Sequence, residues 1–285
     1  MGTGRPHVEI TAATLAGGAK NQDRYAYGDG WAFVLDGASS FAKTQPEHDG
    51  EWYAEHLKQE LSAGLSGKPE RTTPEIVEGA IRGVAAAHGG DAASCPTSTI
   101  ALARWIDDTV EIYLLGDSTA VLISENAEEV LSDNRLSDIA RPSRAEYRTR
   151  LGRGGGFDRY HREILHRLQV QQALNRNQAG GYWIAGSEPE AAHHGAVQAR
   201  RMDSIRSIVL ATDGAANGIR YGTFATWSAL AKLDPPAALR AVNETEKSDP
   251  SAIRWPRSKP HDDKTVVIIN PNRRVTNGEA TNMAQ

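Results

Sequence analysis

A short apolar run that ends at an acidic residue constrains the fold of this chain more than any other feature. The run comprises residues 31–37 and reads Trp-Ala-Phe-Val-Leu-Asp-Gly. Its length, and the glycines at positions 30 and 37 that bound it, are typical of a buried strand. Asp36, at the end of such a strand, lies where the core opens to solvent, and Gly37 lets the backbone turn there.

The same pattern of an apolar run with an acid at one end recurs farther along the chain. The recurrences are residues 208–214, ending in Asp213-Gly214; residues 112–117, ending in Gly116-Asp117; and residues 262–269, in which Asp262 and Asp263 precede the run. If these strands share one core, their carboxylates converge, and like charges in a poorly solvated site repel one another. Hard divalent cations such as Mg²⁺ and Mn²⁺ relieve this repulsion because they prefer oxygen ligands. Asp-Gly is also a common turn dipeptide, so each occurrence alone fits a simple turn, whereas their repetition favours a metal site.

Composition narrows the class of protein. Of 285 residues, 39% are hydrophobic and 24% charged, which is typical of a globular protein with a sizeable core. The net charge of -4 predicts no general attraction to nucleic acid, and the single Cys95 excludes an internal disulfide. Residues 1–6 lack the apolar core of a secretion signal, and no segment approaches the ~20 apolar residues of a membrane helix. We therefore expect a cytoplasmic protein with neither a membrane nor a nucleic-acid partner.

Hydrophobic periodicity predicts two helices followed by a meander of strands, and then a second mixture of both. The predicted strands cover residues 7–14, 25–27, 31–35, 97–103, 110–115, 120–123, 180–184, 194–201, 205–212 and 265–269. The predicted helices cover residues 46–65, 73–88, 221–233 and 235–246. Because helices and strands do not alternate regularly, the pattern favours an α+β fold, in which a sheet packs against helices.

Residues 124–187 differ from the rest of the chain because they are rich in arginine. The glycine-rich run at residues 152–156 divides them into two helical pieces. We interpret this segment as a helical flap inserted over the rim of the sheet, although an exposed, charged helical hairpin has the same pattern. The chain is thus predicted to form one domain over residues 1–270, followed by a disordered tail at residues 271–285.

Six short motifs follow one another in a defined order along the chain. They are Asn21-Gln22-Asp23, Val34-Leu35-Asp36-Gly37, Ser98-Thr99, Gly116-Asp117-Ser118, Thr212-Asp213-Gly214 and Asp262-Asp263-Lys264-Thr265. Their order and approximate spacing resemble those of the metal-dependent type 2C Ser/Thr protein phosphatases, the PPM family. The resemblance covers roughly residues 8–270. It implies two packed antiparallel sheets flanked by helices, an α-β-β-α sandwich, with metal ions in a cleft at one end.

The resemblance, carried over position by position, also implies a set of metal ligands. Asp36 resembles the aspartate that bridges two catalytic ions, and the Gly37 carbonyl resembles a backbone ligand to one of them. Asp213 and Asp262 resemble the ligands of the other ion, and Asp117 with Asp213 resembles the third-metal site of bacterial members. The implied cofactors are two or three Mn²⁺ or Mg²⁺ ions.

Asp36, Asp213 and Asp23 form the implied catalytic set, in which Asp23 resembles the acid that orients metal-bound water. The family's phosphate-binding arginine has no equivalent here, because Lys20 stands near its position. Lys20 and Arg24 are therefore the candidate phosphate-binding residues, although a lysine cannot make the two-pronged contact of an arginine. The histidine that follows Asp-Gly in eukaryotic members is also absent from this sequence.

The resemblance implies a phosphoric monoester hydrolase that acts on phosphoserine or phosphothreonine in proteins, by direct attack of a hydroxide bridging two ions. Two alternatives stay open. The same chemistry could act on a small phosphorylated metabolite, since the Arg-rich insert takes the place of a short flap. The chain could also be a catalytically weak regulatory or binding protein on the same fold. The full set of acids argues against this last hypothesis, because a binding module gains nothing from close like charges.

Overall fold

Two antiparallel five-stranded sheets pack face to face in the computed structural model, which describes residues 8–40, 48–67 and 70–271. The first sheet contains, in spatial order, β2 (Asp23–Gly28), β3 (Trp31–Ala38), β4 (Thr97–Ile106), β5 (Thr109–Leu115) and β8 (Ala196–Arg201). The second contains β1 (Val8–Leu15), β10 (Lys264–Pro271), β9 (Ser207–Ala211), β6 (Thr119–Ile123) and β7 (Glu128–Ser132).

Helices cover the outer face of each sheet, which confirms the predicted α+β sandwich. The helices against the first sheet are α1 (Gly50–Leu65) and α2 (Thr73–His88). Those against the second are α6 (Asp213–Arg220), α7 (Trp227–Leu230) and α8 (Pro235–Lys247). The Arg-rich insert contains α3 (Arg135–Asp138), α4 (Arg141–Gly152) and α5 (Arg159–Leu174), and two short 3-10 helices lie at Pro189–His194 and Met202–Ser204.

β3 has an uninterrupted apolar sequence because both of its faces are buried. Phe33 and Leu35 pack with α1 and α2 on one side. Ala32 and Val34 pack between the two sheets on the other side. Side chains alternate along a strand, so residue 36, next in the even-numbered series, belongs to the face between the sheets. The fold thereby directs Asp36 to the end of the central core.

The predicted helix at residues 73–88 is confirmed residue by residue, and its boundaries have clear causes. Thr72 accepts a hydrogen bond from the Glu75 backbone, and the Glu75 side chain accepts one from the Thr72 backbone, forming a capping box. Gly89, with φ of 63°, ends the helix in the left-handed conformation. Within the described residues, no helix is long and apolar enough to cross a membrane.

Other predicted elements differ from the structure. The helix predicted at residues 221–233 is reduced to Trp227–Leu230, because Gly222 adopts a φ of 73° that a helix does not accommodate. Residues 180–184 make only an isolated bridge, between Arg176 and Tyr182, in place of the predicted strand. Residues 128–132, within the predicted insert, form β7 and pair with β6. The predicted disordered tail lies outside the described residues from position 272 onward.

Candidate metal centre

Strand register brings Asp23 and Asp36 together. The two residues are directly opposite each other across β2 and β3, so their side chains lie on the same face of the first sheet. That face packs against the second sheet, as Ala32 and Val34 show. The first sheet therefore contributes two neighbouring carboxylates to one end of the space between the sheets.

The second sheet contributes Asp213 and Asp262. Asp213 begins α6 and is separated from β9 by Thr212 alone, and Asp262 is separated from the start of β10 by Asp263 alone. β9 and β10 are antiparallel, hydrogen-bonded neighbours, so the end of β9 and the start of β10 place both acids at the same end of that sheet. Repulsion from the Asp213 and Asp262 carboxylates acts on the Asp36 carboxyl, which places the contributions of both sheets at one cleft.

The Thr212 hydroxyl joins the two sheets at this cleft. It donates a hydrogen bond to Asp23 Oδ2 at 2.7 Å and accepts one from the Thr265 backbone N–H at 2.9 Å. The Thr212 backbone N–H in turn donates to the Thr265 carbonyl at 3.1 Å. One buried side chain thus sets the position of a first-sheet carboxylate relative to the second sheet.

The Asp263 side chain has a structural role next to these acids. Its Oδ1 accepts a hydrogen bond from the Gly17 backbone N–H at 2.7 Å, and its Oδ2 accepts one from the Gln22 backbone N–H at 2.8 Å. Asp263 therefore holds the turn between β1 and β2, which carries Lys20 and leads into Asp23.

Two glycines next to the acids allow the backbone to approach closely. A Cβ atom at Gly214 would lie 1.9 Å from the Asp263 carbonyl oxygen, and one at Gly37 would lie 2.5 Å from the Gly50 carbonyl oxygen. Both distances are far below van der Waals contact. The glycine in each Asp-Gly motif is therefore required by close packing around the cleft.

Asp117 lies between β5 and β6, after Gly116, whose φ is 85°. The motif at positions 98–99 connects this turn to β3. Thr99 Oγ1 accepts a hydrogen bond from the Asp36 backbone N–H at 3.3 Å and lies 2.6 Å from Ser118 Oγ. Asp117 is close enough to raise the pKa of Asp213 by repulsion. All five predicted acids, Asp23, Asp36, Asp117, Asp213 and Asp262, thus lie near enough to act on one another's charge.

Five carboxyl groups at the cleft have a raised pKa: Asp23, Asp36, Asp117, Asp213 and Asp262. Loss of hydration is the largest cause for each of them, and repulsion from neighbouring carboxylates adds to it. The pKa of Asp23 rises to about 8, although its hydrogen bond from Thr212 opposes the rise. The pKa of Asp262 rises to about 6, with Asp213 raising it further and Lys259 lowering it. These raised pKa values indicate that nearby positive charge does not fully offset the cost of ionising the five carboxyl groups.

The chemistry of these donors suits a hard divalent cation. All of them are oxygen atoms, and Asp23 Oδ1 is buried without a hydrogen-bond partner. As they stand, no three His, Cys, Asp or Glu side chains among residues 8–40, 48–67 and 70–271 are arranged around one ion position. Instead, the Lys259 ammonium lies 2.5 Å from Asp262 Oδ1. The donor set fits Mg²⁺ or Mn²⁺, and binding would require the carboxylates to move closer together.

The two basic residues expected to bind phosphate are occupied elsewhere. Arg24 pairs with Glu55 at 2.7 Å and with Glu51 at 3.1 Å, both on α1. It lies on the opposite face of β2 from Asp23, because successive residues of a strand alternate. The structure thus separates Arg24 from the acids, and this candidate has no place in the cleft. Lys20 is exposed and forms an ion pair with Asp49, the residue that caps α1.

Sequence reasoning missed Lys259, the cation that contacts the cleft directly. It lies in the irregular loop between α8 and β10, where no periodic pattern indicates the direction of a side chain. The only available signal was its position three residues before Asp262. Sequence reasoning also missed the fully buried ion pair of Lys264 with Glu246, 2.7 Å apart, in which Lys264 also donates to the Asp262 carbonyl at 2.6 Å.

The raised pKa values predict how metal affects stability at different pH. These carboxyls titrate near pH 4 in an unfolded chain, but Asp262 and Asp23 titrate near 6 and 8 in the folded one. Between pH 4 and pH 8 these two carboxyls hold more protons in the folded state, so their contribution to the free energy of unfolding of the metal-free protein falls as pH rises. At pH 5 a bound ion must displace these protons, whereas at pH 8 it displaces fewer of them. We expect the increase in melting temperature on adding Mn²⁺ to be larger at pH 8 than at pH 5.

Thermal unfolding in EDTA and in Mn²⁺ at both pH values measures this increase. Titrating groups outside the cleft, such as His88, affect the melting temperature equally in EDTA and in Mn²⁺, so their contributions cancel when the two are compared at one pH. An increase that is equal at pH 5 and pH 8, or larger at pH 5, would show that the carboxyls do not bind the ion.

Comparisons with known proteins identify the family and the fold. The sequence matches the family described as Protein phosphatase 2C over residues 12–245, a span that includes Asp23, Asp36, Asp117 and Asp213. A search of curated proteins found no match.

Solved structures of bacterial phosphatases share the fold. The PPM Ser-Thr phosphatase MsPP from Mycobacterium smegmatis, in complex with cacodylate, is 18% identical, with a TM-score of 0.54 over 93% of this chain and 98% of that one. The serine/threonine phosphatase PstP/Ppp from Mycobacterium tuberculosis is 12% identical, with a TM-score of 0.55 over 93% and 99%. The catalytic domain of PstP in complex with two manganese ions is 15% identical, with a TM-score of 0.55 over 92% and 97%. At these identities the likeness extends to the fold alone.

Proposed function

Because the chain belongs to the protein phosphatase 2C family, we propose that it is a metal-dependent phosphatase that hydrolyses phosphoserine and phosphothreonine monoesters. The observation that carries this proposal is the convergence of Asp side chains from both sheets at one cleft. Their raised pKa values mark a place where a divalent cation would relieve repulsion. The family comparison supplies the reaction class, and the related catalytic domain with two manganese ions suggests the metal.

In this proposal, Asp36, the Gly37 carbonyl, Asp213 and Asp262 hold two Mn²⁺ or Mg²⁺ ions, and Asp117 with Asp213 holds a third. When bound, such ions lower the pKa of water so that hydroxide forms near neutral pH, and they offset charge on the phosphoryl group. Close packing at Gly37 and Gly214 fixes the backbone that carries the acids, so the closer approach needed for ion binding would come from their side chains.

Asp23 is proposed to orient the attacking water. Its Oδ2 is fixed by the Thr212 hydroxyl, which leaves the buried Oδ1 as an acceptor without a partner. An acceptor held in this way can take a hydrogen bond from water and direct its lone pair toward phosphorus.

Metal removal tests the proposal. We expect the purified protein to hydrolyse p-nitrophenyl phosphate in Mn²⁺ and to lose at least about 100-fold of that rate in EDTA, because the nucleophile depends on the ions. Excess Mn²⁺ should restore the rate, which controls for irreversible loss of structure. Full turnover in EDTA would contradict the metal mechanism, and no turnover in Mn²⁺ would favour a binding protein on this fold.

A panel of substrates then defines the substrate class. Phosphoserine and phosphothreonine peptides are compared with sugar phosphates and nucleotides at equal concentration. A higher kcat/KM for the peptides is expected if the protein is a protein phosphatase. The opposite order would assign the same chemistry to a small phosphorylated metabolite.

A further inference from the structure

A site that hydrolyses phosphate monoesters needs a cation to hold the phosphoryl oxygens, and both basic residues singled out in the sequence pair with acids other than the proposed metal ligands. Arg24 is paired with Glu51 and Glu55 on the helix side of the first sheet. Lys20 is paired with Asp49, whose other carboxylate oxygen accepts a hydrogen bond from the Trp52 N–H at the start of α1. The cation that contacts a proposed metal ligand therefore comes from another part of the chain.

The cations that lower the pKa of the cleft carboxyls include Lys259, Lys264 and Arg144. Two of them are held in place by the protein. Lys264 is fully buried and bonded to Glu246. Arg144 donates from Nε and Nη2 to the carbonyls of residues 139 and 136, at 3.2 and 3.0 Å. Lys259 differs from both, because 53% of its side chain is exposed.

Lys259 is also positioned at the acids themselves. Its ammonium lies 2.5 Å from Asp262 Oδ1, and the carboxylates of Asp36 and Asp213 attract it as well. These are carboxylates from both sheets, so the ammonium is in contact with one proposed metal ligand and near enough to two others to be attracted by their charge. In the metal-free protein it acts as their counter-ion.

A divalent ion would displace this ammonium from Asp262. It carries twice the charge and binds carboxylate oxygen directly, whereas Lys259 is held through a half-exposed contact that water screens. The freed Lys259 ammonium, on its flexible four-carbon stem, would stay within reach of a negatively charged substrate phosphoryl group at this site.

Resting on the phosphatase function proposed above, we propose that Lys259 binds the substrate phosphate, and that it becomes available when a divalent ion takes over Asp262. The residue thus has two successive partners. It neutralises the empty cleft, and it then holds the phosphoryl oxygens of the substrate in the loaded one.

The test compares Lys259→Met with a matched control, Lys247→Met. Lys247 has an equally exposed side chain, 53%, and also pairs with an acid three residues away, Glu244, but it lies on α8. Calorimetry with Mn²⁺ measures the first step. We expect Lys259→Met to bind Mn²⁺ about threefold more tightly than wild type, because the ion no longer competes with an ammonium. Lys247→Met should bind Mn²⁺ as wild type does.

Calorimetry of inorganic phosphate with the Mn²⁺-loaded proteins measures the second step without requiring turnover. We expect Lys259→Met to bind phosphate about tenfold more weakly, the loss of one charge-assisted hydrogen bond, and Lys259→Arg to retain most of the affinity. The Lys247→Met protein is expected to match wild type.

Each other outcome overturns the proposal in a recognisable way. Tighter Mn²⁺ binding with unchanged phosphate binding would make Lys259 a counter-ion only. Weaker phosphate binding with unchanged Mn²⁺ binding would show that Lys259 and the ion do not compete for Asp262. A wild-type protein that binds Mn²⁺ and phosphate, with no effect of Lys259→Met, would overturn the role of Lys259 and leave the proposed phosphatase intact. A wild-type protein that binds no Mn²⁺ would overturn both.

Discussion

Replacing Asp36 by Asn is expected to lower kcat by at least about 10³-fold while making the metal-free protein more stable. Loss of a ligand shared by the proposed ions removes several kcal/mol of transition-state stabilisation, and each 1.36 kcal/mol is tenfold in rate. The same change removes one negative charge from a cleft in which burial and the carboxylates of Asp23, Asp213 and Asp262 raise the pKa of Asp36. The melting temperature in EDTA at pH 8 should therefore rise.

The two opposite effects separate a functional acid from a structural one. Turnover of a phosphopeptide in Mn²⁺ gives the first, and thermal unfolding in EDTA gives the second. Asp107→Asn is the control, because Asp107 is an exposed residue in the turn between β4 and β5, at the other end of the sheet. It has a φ of 54°, which asparagine also tolerates. An Asp36→Asn protein that keeps its rate, or that melts at a lower temperature in EDTA, would show that this acid has a different part.

Replacing Gly214 by Ala is expected to destabilise the fold by about 3 kcal/mol and to abolish metal binding. The new Cβ would lie 1.9 Å from the Asp263 carbonyl oxygen and 3.1 Å from Asp262 Cβ. Backbone atoms cannot rotate away as the end of a side chain can, so α6 and the segment before β10 must separate. That movement displaces Asp213 and Asp262 together.

Urea unfolding and Mn²⁺ calorimetry measure the two consequences. Gly152→Ala is the matched control, since Gly152 is also helical and a Cβ there would meet nothing nearer than an oxygen at 4.0 Å. It should be neutral or slightly stabilising, because alanine favours helix over glycine. Wild-type stability and Mn²⁺ affinity in Gly214→Ala would mean that the close contact relaxes without cost.

The fold was predictable from sequence where burial leaves a clear pattern. β3 is apolar on both faces because it lies between a helix layer and a second sheet, and its uninterrupted run predicted a buried strand. β7 was missed because its sequence at residues 128–132 is mostly polar and lies within the segment predicted to be a helical insert. The helix predicted at residues 221–233 was wrong because one glycine, Gly222, takes a left-handed conformation that composition alone does not indicate.

The site was predictable to the level of its acids but not of its bases. An acid at a strand end is fixed in space by the strand, so repeated motifs predicted the convergence of Asp36, Asp213 and Asp262. A basic side chain is long and can reach several partners, so its sequence position does not determine its contact. Because side chains alternate between the two faces of a strand, the sequence could have shown that Arg24 and Asp23 lie on opposite faces of β2. The path of the loop that carries Lys259 could be learned only from the structure.

The Thr212 hydrogen bonds have a consequence for assembly of the protein. They join two sheets of which each supplies only some of the acids, so neither sheet alone offers a complete ligand set. If the proposed ions bind here, affinity for them arises only after the halves of the sandwich have docked. Uptake of Mn²⁺ during refolding would then report the last step of tertiary assembly, and any opening between the sheets would release the ions before the helices unfold.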